Sequence, residues 1–280
     1  MTRWPLLAAL LLSATTAQAG IVEETVRVPI AVTTPQGRVE QPVLVTIYRD
    51  TDRGPAPFIL YQHGRAGDPK RRAEMKQALP FAGPDLARRG FVVIAPTRIG
   101  YGATGGPDVE RPGSCKDEDY PGMFHRAMQQ GMALLKFAQT LPFVEANRGL
   151  AMGVSFGGAT SLATGQQQHP AIKGIVNLGG GMGGDPDKHP EKPCQVEKLH
   201  ATLASYGRGT MVPSLWVYSP NDRFWGPDYP RGWFASYQAS GGKGRFVQTQ
   251  PLSGNGHTYL PDRAKWLSAF DHFTNEIGLR

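Results

Sequence analysis

A serine between glycines most constrains the fold of this chain. The pentapeptide Gly153-Val154-Ser155-Phe156-Gly157 follows a short apolar run and precedes a helix-like stretch. This context is typical of a sharp turn from a strand into a helix, where small flanking residues let the two elements approach each other. Such a turn exposes the Ser155 hydroxyl as a nucleophile and places the Phe156 N–H at a helix start, where it favours an oxyanion. The pentapeptide alone is equally compatible with a glycine-rich turn that contains a serine by chance.

The rest of the chain supplies the context that favours the nucleophile. Two alternating segments, 23–32 and 39–49, flank the turn sequence 34–37 and predict an antiparallel hairpin at a sheet edge. Short apolar runs then alternate with helix-like stretches, which predicts a mostly parallel sheet covered by helices on both faces. Strands are predicted over 58–61, 91–95, 149–153, 172–178, 215–218 and 245–250, and helices over 84–89, 124–140, 156–168, 196–206, 229–240 and 262–276. Ser155 then lies beyond the carboxyl end of a strand, where ligands bind in such sheets.

Residues 1–19 predict a signal peptide. Thr2-Arg3 precedes the apolar run 6–12, and Ala17 and Ala19 are small residues at the positions that signal peptidase recognises. The apolar run is too short to span a bilayer, which disfavours a retained membrane anchor. We therefore expect residues 20–280 to form a single exported domain, periplasmic or extracellular.

The cysteines and the charge distribution narrow the class further. Cys115 and Cys194 are the only two cysteines, and in an oxidising compartment a disulfide between them is favoured over two free thiols. The net charge is +7, but the basic residues are scattered, which argues against a nucleic-acid partner. The small basic patch at 70–72 is interpreted as a solvated loop. Oligomeric state cannot be inferred from the sequence.

Ser155 needs a base and an acid to become nucleophilic. His257 lies in a flexible loop between the last predicted strand and the last helix, so it is the candidate base. Asp222 follows the predicted strand 215–218 and precedes the histidine, so it is the candidate acid, with Asp228 as the alternative. Solvated or structural roles are assigned to His272, which lies within the last predicted helix, and to four histidines that no strand end directs: His125, His169, His189 and His200.

A second oxyanion donor is expected after the strand 58–61, where Gln62-His63-Gly64-Arg65 can turn inward. The backbone N–H of Arg65 is the candidate, so the side chain at this position carries little information. His63 is expected to brace the loop. Site loops also carry aromatic residues, which indicate an aromatic-lined pocket or simply packing: Tyr101, Phe224, Trp225, Tyr229, Trp233 and Tyr259.

The order of these features along the chain resembles the α/β-hydrolase fold, and most closely its dienelactone hydrolase-related branch. The features are the His63-Gly64 loop, the segment 90–102, the Ser155 turn, Asp222 and His257. The resemblance implies a Ser155, Asp222, His257 triad with the Phe156 and Arg65 amides as oxyanion hole. Dienelactone hydrolases use a cysteine nucleophile, so Ser155 favours a serine esterase over a lactone hydrolase. The segments 104–122 and 179–193 are expected to form loops over the site, joined by the Cys115–Cys194 disulfide.

The sequence therefore predicts a secreted serine hydrolase that cleaves small-molecule carboxylic esters through an acyl-enzyme, without a metal or organic cofactor. Two alternatives remain open. The same triad also serves peptidases and amidases on this fold, and a non-catalytic binding protein could retain it.

Overall fold

The computed structural model describes residues 20–76, 79–110 and 113–280. The predicted signal peptide, residues 1–19, lies outside the described residues. No described helix is both long enough and apolar enough to cross a membrane.

The described strands form one eight-stranded mixed sheet in the order β1-β2-β4-β3-β5-β6-β7-β8. The first two strands pair antiparallel along their whole length, β2 also runs antiparallel to β4, and the remaining pairs are parallel. Their bounds are β1 Ile21–Thr34, β2 Gly37–Asp50, β3 Ala56–Gln62, β4 Val92–Thr97, β5 Val144–Val154, β6 Ile172–Leu178, β7 Ser214–Tyr218 and β8 Gly244–Gln248. The predicted hairpin and parallel sheet are confirmed.

The described α-helices are α1 Pro69–Ala73, α2 Ala82–Arg88, α3 Tyr120–Ala138, α4 Phe156–Gly165, α5 Val196–Ser205, α6 Asp228–Ala239 and α7 Leu267–Glu276. The apolar faces of α2 to α7 cover the sheet, and β4, β6 and β7 are almost entirely buried because helices or loops cover both of their faces. The α/β arrangement is therefore the one that the alternating pattern predicted.

Helix α1 corrects one sequence interpretation. The basic patch at 70–72 is helical rather than a loop, because the Asp68 side chain accepts a hydrogen bond from the Arg71 N–H and Pro69 occupies the first turn. Arg72 is buried and donates to the carbonyls of Ala66 and Gly67. A short polar helix of this kind has too few apolar residues to be detected by periodicity.

The predicted disulfide joins Cys115 to Cys194 across 79 residues of chain, with 5.0 Å between the two Cα atoms. It links the segment before α3 to the segment before α5. These two segments are the ones that the sequence places over the site.

Candidate active site

Ser155 lies on the sharp turn between β5 and α4. Its backbone has φ 56° and ψ −125°, a left-handed conformation that non-glycine residues rarely adopt. The flanking glycines are required by space: a Cβ on Gly153 would come within 2.2 Å of the Gly157 carbonyl oxygen, and one on Gly157 within 1.9 Å of the Gln62 carbonyl oxygen. The Ser155 N–H donates to the Leu178 carbonyl at 2.9 Å, which fixes the turn to the end of β6.

Phe156 is the first residue of α4, and Ser155 is its N-cap without a side-chain capping bond. The N–H groups of a first helical turn have no partner within the helix. The helix dipole adds partial positive charge at the same place. The turn therefore places a backbone N–H at a helix start directly beside the serine, and the oxyanion role expected of Phe156 stays a prediction.

Asp222 and His257 form a hydrogen-bonded pair beyond the ends of β7 and β8. His257 Nδ1 lies 2.7 Å from Asp222 Oδ2, the Asp222 side chain is fully buried, and that of His257 is 12% exposed. The Phe224 N–H donates to Asp222 Oδ1 at 2.9 Å. A carboxylate in this position holds the imidazole with Nδ1 protonated and leaves Nε2 as a proton acceptor.

Tyr259 supports the same carboxylate, a role that the sequence did not reveal. Its hydroxyl donates to Asp222 Oδ2 at 3.1 Å and accepts the Ser219 N–H at 3.0 Å. Burial and the negative charge of Asp222 hold the pKa of Tyr259 well above its usual value, so the hydroxyl remains a donor. Its position two residues after the histidine is the only signal available in the sequence.

Ser155 and His257 line one cavity but are not hydrogen-bonded to each other. Within the described part of the chain, His257 Nε2 is buried and has no hydrogen-bond partner. Bonds between nucleophile and base are often long before substrate binds and shorten in the substrate complex. His257, whose Nε2 has no hydrogen-bond partner, thus lines the same cavity as Ser155.

The His63-Gly64-Arg65 loop lies against the serine. A Cβ on Gly64 would stand 3.4 Å from Ser155 Cβ and 3.9 Å from Ser155 Oγ. The Gly64 carbonyl oxygen lies 2.7 Å from His63 Nδ1 and 3.3 Å from Arg98 Nη2. Because C=O and N–H point to opposite sides of a trans peptide, the Arg65 N–H is directed away from His63 and Arg98. This orientation is compatible with the oxyanion role expected of Arg65.

His63 braces this loop as a neutral side chain. Its Nε2 accepts the Arg98 N–H at 3.1 Å, so the proton is on Nδ1 and is donated to the Gly64 carbonyl. Burial and the positive charge of Arg98 hold the pKa of His63 well below its usual value. A neutral ring can both donate and accept, which matches the bracing role predicted from the sequence.

Four charged side chains fix the loop, and of these only Asp108 is partly exposed; we name Arg65, Arg98, Asp108 and Glu110 the charge cluster. Arg98 and Glu110 are both fully buried and pair at 2.6 Å. The Arg65 side chain is 1% exposed and pairs with Asp108 at 2.6 Å and with Glu110 at 2.7 Å. Arg98 also donates to the His63 carbonyl at 2.7 Å. These charges connect the His63-Gly64-Arg65 loop to the segment that precedes Cys115.

The charge cluster corrects the expectation that the Arg65 side chain carries little information. Burial alone would lower the pKa of Arg65, but its hydrogen bond to Asp108 and the nearby negative groups raise it above the usual value. The guanidinium is therefore a permanent buried cation. Sequence reasoning missed this role because the partner carboxylates lie more than forty positions away, as the bond from Arg65 to Glu110 across 45 positions illustrates.

The cavity that contains Ser155 and His257 has a volume of about 390 Å³. Its wall is mostly apolar and includes Met75, Val154, Phe224, Tyr259 and Leu260. Of the six aromatic residues noted in the sequence, Phe224 and Tyr259 line it. The other four pack elsewhere, and Tyr101, Trp225 and Trp233 are buried in the core.

The alternative site residues lie apart from this cavity. Asp228 is in the first turn of α6 and is exposed, so it serves the helix start. His200 pairs with Ser236, and His272 lies on α7 near Glu276. His125 lines a different cavity between α3, α4 and α5.

One group among the described residues has the spacing of a metal site, and it lies outside the Ser155 cavity. It consists of Cys115, His189 and Cys194. Both sulfur atoms are used in the disulfide, so no thiolate ligand remains there.

Neither a protein-family model nor a curated protein sequence matches this chain. Solved structures do. An acetyl xylan esterase from a Paenibacillus species matches with TM-score 0.64 at 16% identity, covering 95% of this chain and 88% of that one. A dienelactone hydrolase-like promiscuous phosphotriesterase from metagenomic libraries matches with TM-score 0.56 at 15% identity, covering 91% and 98%. Est1E from Butyrivibrio proteoclasticus, with ferulic acid bound, matches with TM-score 0.59 at 14% identity, covering 85% and 97%.

These identities are low, so the likeness establishes the fold. The chain has the α/β-hydrolase fold, as the sequence predicted. The structural neighbours are esterases and other hydrolases.

Proposed function

We propose that this protein is a serine carboxylic-ester hydrolase in which Ser155 is the nucleophile, His257 the general base and Asp222 the residue that orients the base. The observation that carries the proposal is the 2.7 Å hydrogen bond between Asp222 and Nδ1 of His257, a histidine that lines the same cavity as Ser155 and whose Nε2 has no partner. A buried acid, an oriented histidine and a serine on a strained turn serve nucleophilic acyl transfer together.

In the first half-reaction, Ser155 Oγ attacks the ester carbonyl carbon while His257 Nε2 takes the hydroxyl proton. The negative charge moves to the carbonyl oxygen, where the Phe156 and Arg65 N–H groups stabilise it. The carbon–oxygen bond to the alcohol then breaks, and His257 returns the proton to the leaving oxygen. The acyl group remains on Ser155.

In the second half-reaction, His257 takes a proton from water as the water oxygen attacks the acyl carbon. The tetrahedral intermediate again places its charge toward Phe156 and Arg65. The bond to Ser155 Oγ breaks, the serine regains its proton from His257, and the carboxylic acid leaves. The chain's own groups balance every proton in this cycle, so no step requires a cofactor.

Pre-steady-state hydrolysis of 4-nitrophenyl acetate tests the proposal. The wild-type protein should release a burst of nitrophenol equal to the concentration of active sites, followed by slower turnover. Ser155→Ala should lose both phases, whereas Ser161→Ala, which removes a buried hydroxyl of α4 bonded to the Gly157 carbonyl, should keep the burst. Full activity in Ser155→Ala would refute the nucleophile assignment.

Ester and amide hydrolysis are separated by one further comparison. The peptidase or amidase alternative uses the same triad, so the site chemistry alone does not distinguish it. Hydrolysis of acetate esters of nitrophenol should exceed hydrolysis of the matched acetanilide. A preference for the anilide would favour the amidase.

We also propose that the protein is exported to the periplasm or the extracellular space. The Cys115–Cys194 disulfide supports this because such bonds persist in oxidising compartments. Fractionation of expressing cells, followed by N-terminal sequencing of the recovered protein, tests it: export predicts a chain beginning at Gly20.

A further inference from the structure

A second cleft adjoins the Ser155 cavity, and the mechanism proposed above does not use it. Its volume is about 700 Å³. Arg65, Ala66 and Phe224 line both spaces, so the two meet beside the oxyanion loop. We name this space the polar cleft; its wall also includes 67–69, Arg71, 184–188 and Asn255.

The polar cleft differs chemically from the Ser155 cavity. Asp68, Asp185 and Asp187 contribute carboxyl groups to its wall, and Arg71 and Lys188 contribute cations. Because the negative and positive charges of these side chains nearly balance, the wall has no strong preference for a charged ligand. It does present both hydrogen-bond acceptors and donors, which a neutral group rich in hydroxyls can satisfy together.

The wall formed by 184–188 is held in place. Asp185 Oδ1 accepts the backbone N–H groups of Asp187 and Lys188 at 3.1 and 3.0 Å, and Asp185 Oδ2 lies 3.3 Å from Lys188 Nζ. These interactions, led by the Lys188 N–H, lower the pKa of Asp185. The turn is therefore formed before any ligand arrives.

Contacts on the far side of this turn tie it to the rest of the fold. Arg223 Nη2 donates to the Pro186 carbonyl at 2.6 Å, and the Glu191 N–H donates to the Arg223 carbonyl at 2.7 Å. The Cys194 N–H donates to the Gly183 carbonyl at 2.9 Å, and Cys194 carries the disulfide. The disulfide thus anchors one wall of the polar cleft.

Two residues connect the cleft to the reacting groups. The Phe224 ring lies between the two spaces and packs against the His257 ring, with 4.4 Å between centroids. Asn255 Oδ1 accepts a hydrogen bond from the backbone N–H of His257 at 3.1 Å. A ligand in the polar cleft would therefore contact an aromatic face on one side and the loop of the catalytic base on the other.

We infer that the polar cleft binds a hydroxyl-rich glycosyl group that forms the alcohol half of the substrate, while the apolar acyl half enters the Ser155 cavity. This inference rests on the proposed ester hydrolysis and specifies its substrate class. An aromatic ring beside acceptors and donors of both signs fits the apolar faces and hydroxyl rims of a sugar. The ester carbonyl would then lie at the junction of the two spaces, beside the Arg65 N–H.

Two esters with the same acyl group test the inference: ethyl acetate and a mono-acetylated methyl glucoside. The measured quantity is the ratio of kcat/KM for the glucoside ester to kcat/KM for ethyl acetate, from released acetate. We expect a ratio above about 10, which corresponds to about 1.4 kcal/mol. The double variant Asp187→Asn/Lys188→Gln should reduce that ratio about tenfold, mainly through KM for the glucoside ester.

The matched control is Asp52→Asn/Lys173→Gln, which changes the same residue types at exposed positions outside the cleft and should keep the wild-type ratio. A wild-type ratio near 1, or one that both double variants alter equally, overturns the glycosyl inference and leaves ester hydrolysis intact. Failure of the wild-type protein to hydrolyse either acetate overturns the proposed function as well. Because a ratio is compared, a general loss of folded protein cannot imitate the expected result.

Discussion

Two loops line the cavity that contains Ser155, and they are stabilised by different interactions. The proposed oxyanion loop, residues 62–65, is fixed by largely buried ion pairs, since Arg65, Arg98 and Glu110 are at most 1% exposed and Asp108 is 25% exposed. The loop of the proposed base, residues 252–262, is fixed by turns and by hydrogen bonds, several of them to the partly exposed Asp262 carboxylate. Ser253 and Thr258 donate to Asp262 at 2.9 and 2.8 Å, and the Leu252 N–H donates to Asn221 Oδ1 at 3.0 Å.

The difference follows from what each loop has to do. The proposed oxyanion donor is a backbone group, so its peptide plane must be fixed, and buried charges with few alternative partners achieve this at a high desolvation cost. The proposed base would accept and return a proton, so its side chain needs room while its loop is held. Gly256 permits the close turn: its φ is 77°, and a Cβ there would approach the Asn221 carbonyl oxygen to 2.1 Å.

Asp222→Asn should have the largest effect and act on the base side alone. An amide in this place favours the wrong histidine tautomer, so kcat for 4-nitrophenyl acetate should fall about 10⁴-fold while the protein remains folded. Asp228→Asn, at the exposed start of α6, is the matched control and should stay near wild-type activity. A larger loss in Asp228→Asn than in Asp222→Asn would reverse the assignment of the acid.

Glu110→Gln should have the next largest effect and act on the oxyanion side. It leaves the buried cations Arg65 and Arg98 with too little negative charge, so the free energy of unfolding should fall by about 3–5 kcal/mol. Urea denaturation measures this loss. Glu40→Gln removes a carboxylate from an exposed pair whose side chains are 66% and 68% exposed, and it should cost less than about 1 kcal/mol. Equal losses in the two variants would contradict a structural role for the charge cluster.

The smallest expected effect is on the pH dependence of stability. His63 in one loop and Asp262 in the other should contribute to the free energy of unfolding over different pH ranges. The pKa of His63 is well below 6.5 in the folded protein, so the unfolded chain binds this proton first, and folded-state stability falls as the pH drops through about 6.5. Between pH 7.5 and 5.5 the loss from His63 should be about 1.4 kcal/mol. The pKa of Asp262 is lowered by the Ser253 N–H, so its contribution is present above pH 3.8 and is lost only below it.

Urea unfolding of the wild-type protein and His63→Gln at pH 7.5 and 5.5 measures this difference. The variant should lose less stability than the wild type on acidification, by the amount that His63 contributes. Identical changes in the two proteins would mean that His63 does not remain neutral in the folded state. Asp262→Asn should leave the loss between these two pH values unchanged.

The strand pattern could be predicted to within a few residues because each buried strand is a continuous apolar run. The ends were less certain: β5 begins at Val144, five residues before the predicted run, because its first half is polar and lies at the sheet margin. The last predicted helix, 262–276, is α7 preceded by a short 3₁₀ turn, Arg263–Lys265. Tertiary contacts rather than propensity set these boundaries.

The residues of the candidate site could be predicted where a short sequence pattern indicates them. The Ser155 turn needs only its own glycines, and His257 and Asp222 could be proposed because each follows a strand. The support from Tyr259, the neutral state of His63 and the charge cluster could not be proposed, because each depends on partners that are distant in the sequence. Arg65 reaches Glu110 across 45 positions, and Tyr259 reaches Asp222 across 37.

The sequence by itself determined the order of strands and helices, the strained turn at Ser155 and the candidates for base and acid, because hydrophobic periodicity and glycine sterics act over short stretches of chain. Only the tertiary structure decided which carboxylates neutralise Arg65 and Arg98, which side chains hold Asp222, and that a polar cleft adjoins the serine. Electrostatic and cavity properties arise from groups that folding brings together from separate segments, and no local pattern encodes their distances.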